Sequence, residues 1–196
     1  MVPMDSPEGL TTAQRETLLG VARDAVSHGL VHHALLALSA ADFEEALRAP
    51  RATFVTLESD GRLRGCIGTL EARLPLVEDI ARHAYAAAFE DPRFPPLAPH
   101  EAASLDYHIS ILSPPVPMDI RDEADLVAQL QPEVDGLIIE QGGRRATFLP
   151  SVWSSLPAPQ DFVAHLKAKA GIRNGDTAPL KAWRYHTEGF GSHREA

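Results

Sequence analysis

The chain has 196 residues, 44% of them hydrophobic and 23% charged; these are the proportions of a folded globular protein and exclude wholesale disorder and collagen-like or coiled-coil repeats. Eighteen Lys and Arg against 27 Asp and Glu leave a net charge of −9; with no basic cluster, such a chain repels phosphate backbones and anionic membrane surfaces, so no nucleic acid and no membrane is expected as a partner. One cysteine, Cys66, excludes an intrachain disulfide and a three-cysteine iron–sulfur cluster, and fits a reducing, cytoplasmic compartment.

The first residues, 1–9, carry acids and no apolar core, unlike a signal peptide, and the longest stretch free of Asp, Glu, Lys and Arg, Ala25 to Ala41, is too short to span a bilayer. Thr11 to Gln14 has the form of a capping box, and Leu18, Val21, Ala22 and Ala25 follow at helical spacing, predicting a helix that ends at Gly29. Leu30 to Leu47 is helix-prone but less regular. Arg51–Glu58 and Arg62–Thr69 read as a β-hairpin turned by Ser59-Asp60-Gly61. Pro75 suits a first helical turn, and Val77, Ile80, Ala81, Ala84 and Ala88 mark one face of a helix reaching Glu90, with small alanines that allow close approach to a sheet. Asp91-Pro92-Arg93-Phe94-Pro95-Pro96 is then a rigid loop, because its prolines fix φ and remove backbone donors.

Leu105–Leu112 reads as a strand stopped by Pro114 and Pro115, and Gly136–Gln141 with Arg144–Leu149 as a second hairpin turned by Gly142-Gly143. Gln160–Ala170 is a short helix capped by Gly171, and Lys181–Phe190 a final strand. Helices and strands do not alternate regularly, which predicts an α+β fold, a mainly antiparallel sheet with flanking helices, and not a doubly wound one.

Leu63-Arg64-Gly65-Cys66-Ile67-Gly68 holds the most chemistry. With strict alternation, Leu63 and Ile67 face the core while Arg64 and Cys66 share the other face, where a guanidinium favours a thiolate. Gly65 and Gly68 remove side chains around the sulfur and so admit a ligand or another backbone. Against this stands the tendency of unpaired cysteine to be buried as a small hydrophobe.

These residues resemble the hallmark segment of the AMMECR-domain family. Asp91-Pro92-Arg93-Phe94-Pro95-Pro96 is similar to the family's Asp-Ser-Arg-Phe-Pro-Pro loop with Pro92 in place of Ser, Ile109–Ser113 to its next strand, and Ala146-Thr147-Phe148-Leu149-Pro150-Ser151-Val152 to its Ala-Thr-Tyr/Phe-Leu-Pro-x-Val run; Leu166–Gly171 and Trp183-Arg184-Tyr185 follow in the expected order. The resemblance covers about residues 10–190. It implies one α+β domain with a larger and a smaller lobe, packed intimately, with the motif segments at a cleft between them. Through the name of the AmmeMemoRadiSam system it associates the family with a Memo-like protein and a radical S-adenosylmethionine protein. It supplies no molecular activity, and no cofactor.

Two functional readings result. In one, a cleft lined by Arg64, Gly65, Gly68, Cys66, Arg93 and Ser110 holds a small anionic ligand, with Cys66 as nucleophile, Arg64 as its electrostatic activator and His83 as a base. In the other, a noncatalytic adaptor docks partners through the Pro-rich loop and hairpin. A third possibility is that the motif serves the fold alone. Asp106, His108 and Ser110 share a strand face but stand too far apart for a catalytic triad. No metal site is expected: His28 and His32 could clasp an ion only if the first helix ran through Gly29. Trp153 and Trp183 read as interlobe packing.

Overall fold

The first hairpin closes because Asp60 and Gly61 both hold positive φ, 51° and 70°, the combination a two-residue primed turn requires. Strands β1 (Ala52–Ser59) and β2 (Arg62–Gly68) flank it, and β1 also pairs antiparallel with β3 (Leu105–Leu112). Helix α1 (Thr12–His32) precedes them, α2 (Leu76–Phe89) lies between β2 and β3, and β8 (Thr187–Gly191) completes a four-stranded sheet in the order β2-β1-β3-β8. The computed structural model describes residues 9–173 and 176–192. It divides into two units, residues up to Leu112 together with those from Glu188 onward, and Ser113–Thr187, and the mixture of helices with antiparallel sheets is the α+β class expected.

In the first unit α1 and α2 pack on each other and on one face of the sheet, α2 over β1 and β2. Val55, Leu57 and Ile109 from the strands meet Leu18, Ala22, Val77, Ile80 and Ala84 from the helices in one buried core. The capping box starts α1 as predicted, with Thr11 and Gln14 bonding each other's backbone. The helix does not end at Gly29. It continues to His32 and stops at His33, which takes the left-handed conformation. Gly29 serves packing: a Cβ there would lie 2.3 Å from the Phe89 ring of α2. His28 and His32 therefore share one helix, their ring centroids 4.3 Å apart. The helix-prone stretch beyond contains only two short 3-10 turns, Ala40–Asp42 and Glu45–Leu47.

The second unit holds a four-stranded sheet in the order β4-β7-β5-β6, formed by β4 (Val116–Met118), β5 (Gly136–Gln141), β6 (Arg144–Phe148) and β7 (Lys181–Tyr185). Gly142 and Gly143 make its hairpin turn with positive φ, as expected. Helix α4 (Pro159–Ala170) ends at left-handed Gly171, while α3 (Glu123–Gln129) and β4, at seven and three residues, are too short to show a period in the sequence. The predicted final strand is divided: β7 and β8 belong to different sheets. Trp153 packs in the core of this unit, stacked on Phe162 at 3.7 Å and donating its indole N–H to the Asp135 carbonyl at 2.7 Å. Trp183 stands in β7 beneath the guanidinium of Arg145.

The correction with most consequence is in β2. Thr56 opposes Cys66 and Leu57 opposes Gly65, but Glu58 opposes Leu63, so Arg64 is an additional, bulged residue. The bulge breaks the alternation on which the sequence reading rested. Leu63, expected in the core, is 43% exposed, whereas Arg64 is buried. At Gly65 the strand backbone presses on α2, where a Cβ would fall 2.0 Å from the Ala87 carbonyl oxygen. Gly65→Ala is expected to lower stability by roughly 1–3 kcal/mol or more, since the backbone atom it meets cannot rotate away. Gly20→Ala, with open space around it in α1, is expected to raise stability by about 0.5–1 kcal/mol. Urea unfolding of both variants checks the pair.

Candidate functional site

β2 is an edge strand, and an edge strand leaves backbone N–H and C=O groups without a neighbour. The Pro-rich loop supplies one. The Cys66 N–H donates to Asp91 Oδ2 at 2.9 Å, and Arg93 Nη2 donates to the Cys66 carbonyl at 3.2 Å. Asp91 in turn accepts from the Arg93 backbone N–H at 3.1 Å and from its Nε and Nη2 at 2.9 and 2.6 Å. Two side chains thus stand in for a paired strand.

Asp91 is buried, and its hydrogen bonds from Arg93 hold its carboxyl well below the ordinary carboxylate range, against the opposing effect of burial. The same pairing raises Arg93. The Arg93 side chain nevertheless remains 53% exposed.

Arg64 fastens the far end of the loop. Its Nε and Nη2 donate to the two Glu101 oxygens at 2.7 and 3.0 Å, and Nη2 also donates to the Pro95 carbonyl at 3.0 Å, the fork geometry that suits arginine to carboxylate. Glu101 also caps the following turn by accepting the Ala98 N–H at 2.8 Å. The Arg64 bond, first among these causes, holds the Glu101 carboxyl down to about 2. The Phe94 ring packs against both guanidinium groups, 5.8 Å from Arg64 and 5.5 Å from Arg93.

Cys66 is half-buried and its sulfur accepts from Thr56 Oγ1 at 3.2 Å. Thr53, Val55 and Leu57 of β1 are buried under the helices, so Thr56 and Cys66 belong to the opposite face. The predicted partnership of sulfur and guanidinium does not form: the bulge sends Arg64 to Glu101 and Pro95, where its charge is already met.

His83, expected beside Cys66, is placed elsewhere. Its Nδ1 lies 3.2 Å from both Asp79 Oδ2 and Thr53 Oγ1, on the helix side of β1. Ser110 shares the sheet face of Cys66 but pairs with Phe54, two strands and one pleat repeat away, about 12 Å by sheet spacing. The space left by Gly65 is taken by Ala87 and that left by Gly68 by the Phe54 ring, 2.3 Å from a notional Cβ. Arg64, Gly65, Cys66 and Arg93 are therefore brought together, while His83, Ser110 and Gly68 serve other neighbourhoods. His108 stands opposite Thr56 and near Glu58, at 3.5 Å.

Sequence reasoning passed over Asp91, Glu101 and Thr56. Asp91 stood inside the quoted loop as the one acid available to balance Arg93. Glu101, three residues after Ala98 and beyond Pro99, carried the spacing of a helix-start cap.

Comparison with known proteins gives a consistent picture. A family model described as AMMECR1 matches residues 19–190. A protein of Methanothermobacter thermautotrophicus is 37% identical over 168 residues, covering 83% of this chain and 85% of its own. A Thermotoga maritima protein is 38% identical over 149 residues, covering 75% and 81%. The crystal structure of the uncharacterized protein PH0010 from Pyrococcus horikoshii superposes with a TM-score of 0.79 at 29% identity, over 90% of each chain.

Glu101 and Asp91 both titrate lower in the folded chain than in the unfolded one. Acidification therefore drives protons onto the unfolded state, and stability that is complete above the ordinary carboxylate range is lost as pH falls. The urea midpoint is expected to hold steady down to about pH 5 and then to drop as Glu101 is taken from 4.5 toward about 2. Glu101→Gln, which leaves buried Arg64 without its counter-charge, is expected to lose about 3 kcal/mol at neutral pH and to show a shallower acid decline. Denaturation across pH for both proteins measures the difference.

Proposed function

The chain belongs to the AMMECR1 family, and on that footing we propose that it is a noncatalytic binding component whose Pro-rich loop and β1–β2 hairpin dock partner proteins. The observation that supports this reading is the disposition of charge: both guanidinium groups of the motif are already matched by carboxylates within the chain. Neither therefore needs a bound anion to balance its charge. What the two ion pairs build is a braced loop that offers Arg93 at its crest with Pro92, Pro95 and Pro96 exposed around it. Prolines ordered in advance lower the entropy lost on association, and arginine is among the side chains that most often dominate an interface.

The partners implied by the family resemblance are a Memo-like protein and a radical S-adenosylmethionine protein, and a cytoplasmic setting keeps Cys66 reduced. A second reading keeps a small ligand at the hairpin: the Cys66 sulfur is partly open and accepts a hydrogen bond from Thr56, so thiol chemistry there would rest on Thr56 and not on Arg64.

The two readings separate on paired variants. Arg93→Ala is expected to weaken the complex with either partner at least about tenfold while Cys66→Ala changes its affinity less than about twofold. Titration calorimetry with the purified partners measures both. No binding by the unaltered chain at micromolar concentrations sinks the adaptor reading, and a loss caused by Cys66→Ala alone favours the ligand reading.

A further inference from the structure

On the helix side of the same sheet, away from Cys66, a cavity of about 450 Å³ opens over α2, lined by Thr69, Arg73, Leu74, Asp79, Arg82 and His83, with Glu71 at its rim. Its volume lies within the range of small-molecule sites. Its floor is a network the docking surface does not use. Thr53 Oγ1 donates to Asp79 Oδ2 at 2.6 Å, and all three of Thr53, Asp79 and His83 are buried.

The Thr53 hydroxyl has one hydrogen, given to Asp79, so the 3.2 Å contacts of His83 Nδ1 with Thr53 Oγ1 and Asp79 Oδ2 require Nδ1 to carry the proton. In the neutral ring Nε2 is then an acceptor, held in a fixed tautomer by a carboxylate as in the orienting pairs of many active sites. Nε2 has no partner among the described residues, and His83 is one of the residues that face the cavity.

Arg82 is exposed and in no ion pair among the described residues. Among the described residues Arg73 is paired only with Glu71, and both are largely exposed, an arrangement that water and salt weaken. The cavity lining thus offers two cations, Arg73 and Arg82, and two anions, Glu71 and Asp79, about one hydrogen-bond acceptor. Beside it, and sharing Leu74 and Arg82, runs an apolar trough of about 230 Å³ formed by Leu35, Leu36, Leu38 and Ala81, with Glu78 alongside.

We propose that this cavity binds a free α-amino acid with an apolar side chain. The zwitterion, like the lining, carries both signs: its carboxylate meets Arg82 and Arg73, its ammonium donates to His83 Nε2 beside Asp79, and its hydrocarbon lies along Leu74 in the trough. A simple anion answers Arg82 but sets a negative charge beside Asp79, and a simple cation sets a positive charge beside Arg82. No group of three His, Cys, Asp or Glu side chains able to hold a metal occurs among the described residues, so the imidazole is assigned to hydrogen bonding.

The test is an NMR and calorimetric titration of the full chain with L-leucine, isocaproate, isoamylamine and glycine, which remove in turn the ammonium, the carboxylate and the side chain. L-leucine is expected to saturate and to move the His83 ring nitrogens together with the Leu74 methyls, with each truncated compound at least about tenfold weaker. Arg82→Ala, a change at an exposed position on α2, is expected to keep the urea midpoint of the unaltered chain and to weaken L-leucine at least about tenfold. Absence of saturation by L-leucine overturns the proposal, as does equal binding of isocaproate, isoamylamine or glycine, or an Arg82→Ala variant that binds as the unaltered chain does.

Discussion

One carboxylate governs the motif region. Asp91 is buried, yet it is charged, because four donors from two residues converge on it: the Cys66 N–H and the backbone N–H, Nε and Nη2 of Arg93. Burying a charge without such company costs several kcal/mol, and removing any one partner leaves the others uncompensated. The rest of the site is arranged around that demand. The loop must curve back to β2, so it carries prolines that hold its path. The sheet edge presents Cys66 with its backbone outward, so it stands opposite Thr56 of β1 as a non-hydrogen-bonded pair and meets it through the Thr56 hydroxyl and the sulfur.

The bulge at Arg64 is the second device. An additional residue in one strand re-aims a side chain without lengthening the hairpin, and here it takes a guanidinium out of the sheet face and places it between Glu101 and the Pro95 carbonyl. The two ends of the loop are therefore held by charges of opposite arrangement: at Asp91 the acid is the more deeply buried member, at Arg64 the base is. The two arginines that in a bare sequence suggest an activated thiol are bonded instead to the loop beside it.

Much of the fold was legible. Both hairpins followed from glycine-bearing turns whose positive φ leaves little choice, α2 from its alanine and aliphatic face, and α4 from Gly171. The failures share a cause. Gly29 and the bulge are both places where contact between elements overrode a local rule: the glycine reads as a helix stop but exists to admit Phe89, and alternation reads Leu63 as core but the additional residue reverses it. Neither contact is encoded within a few residues of the position concerned. The site was legible in part for the same reason. Cys66, Arg64, Gly65 and Arg93 were identified as a group because the motif lies in two short runs, whereas the roles of Asp91 and Glu101 depend on how those runs meet in space, and His83 was assigned to Cys66 only because the sequence does not say which sheet face the helix covers.

Helix α2 touches the sheet in two ways that hydrophobic packing does not provide. Near its start Asp79 reaches the Thr53 hydroxyl, and near its end the Ala87 carbonyl sits on bare Gly65, eight residues or about 12 Å further along. Aliphatic contacts tolerate sliding, since one methyl is much like another. A hydroxyl–carboxylate bond at one end and a notch at the other do not, and together they index the helix against the strands. The offset of helix and sheet is consequently set by these two points, and the apolar side chains between them pack to fit it.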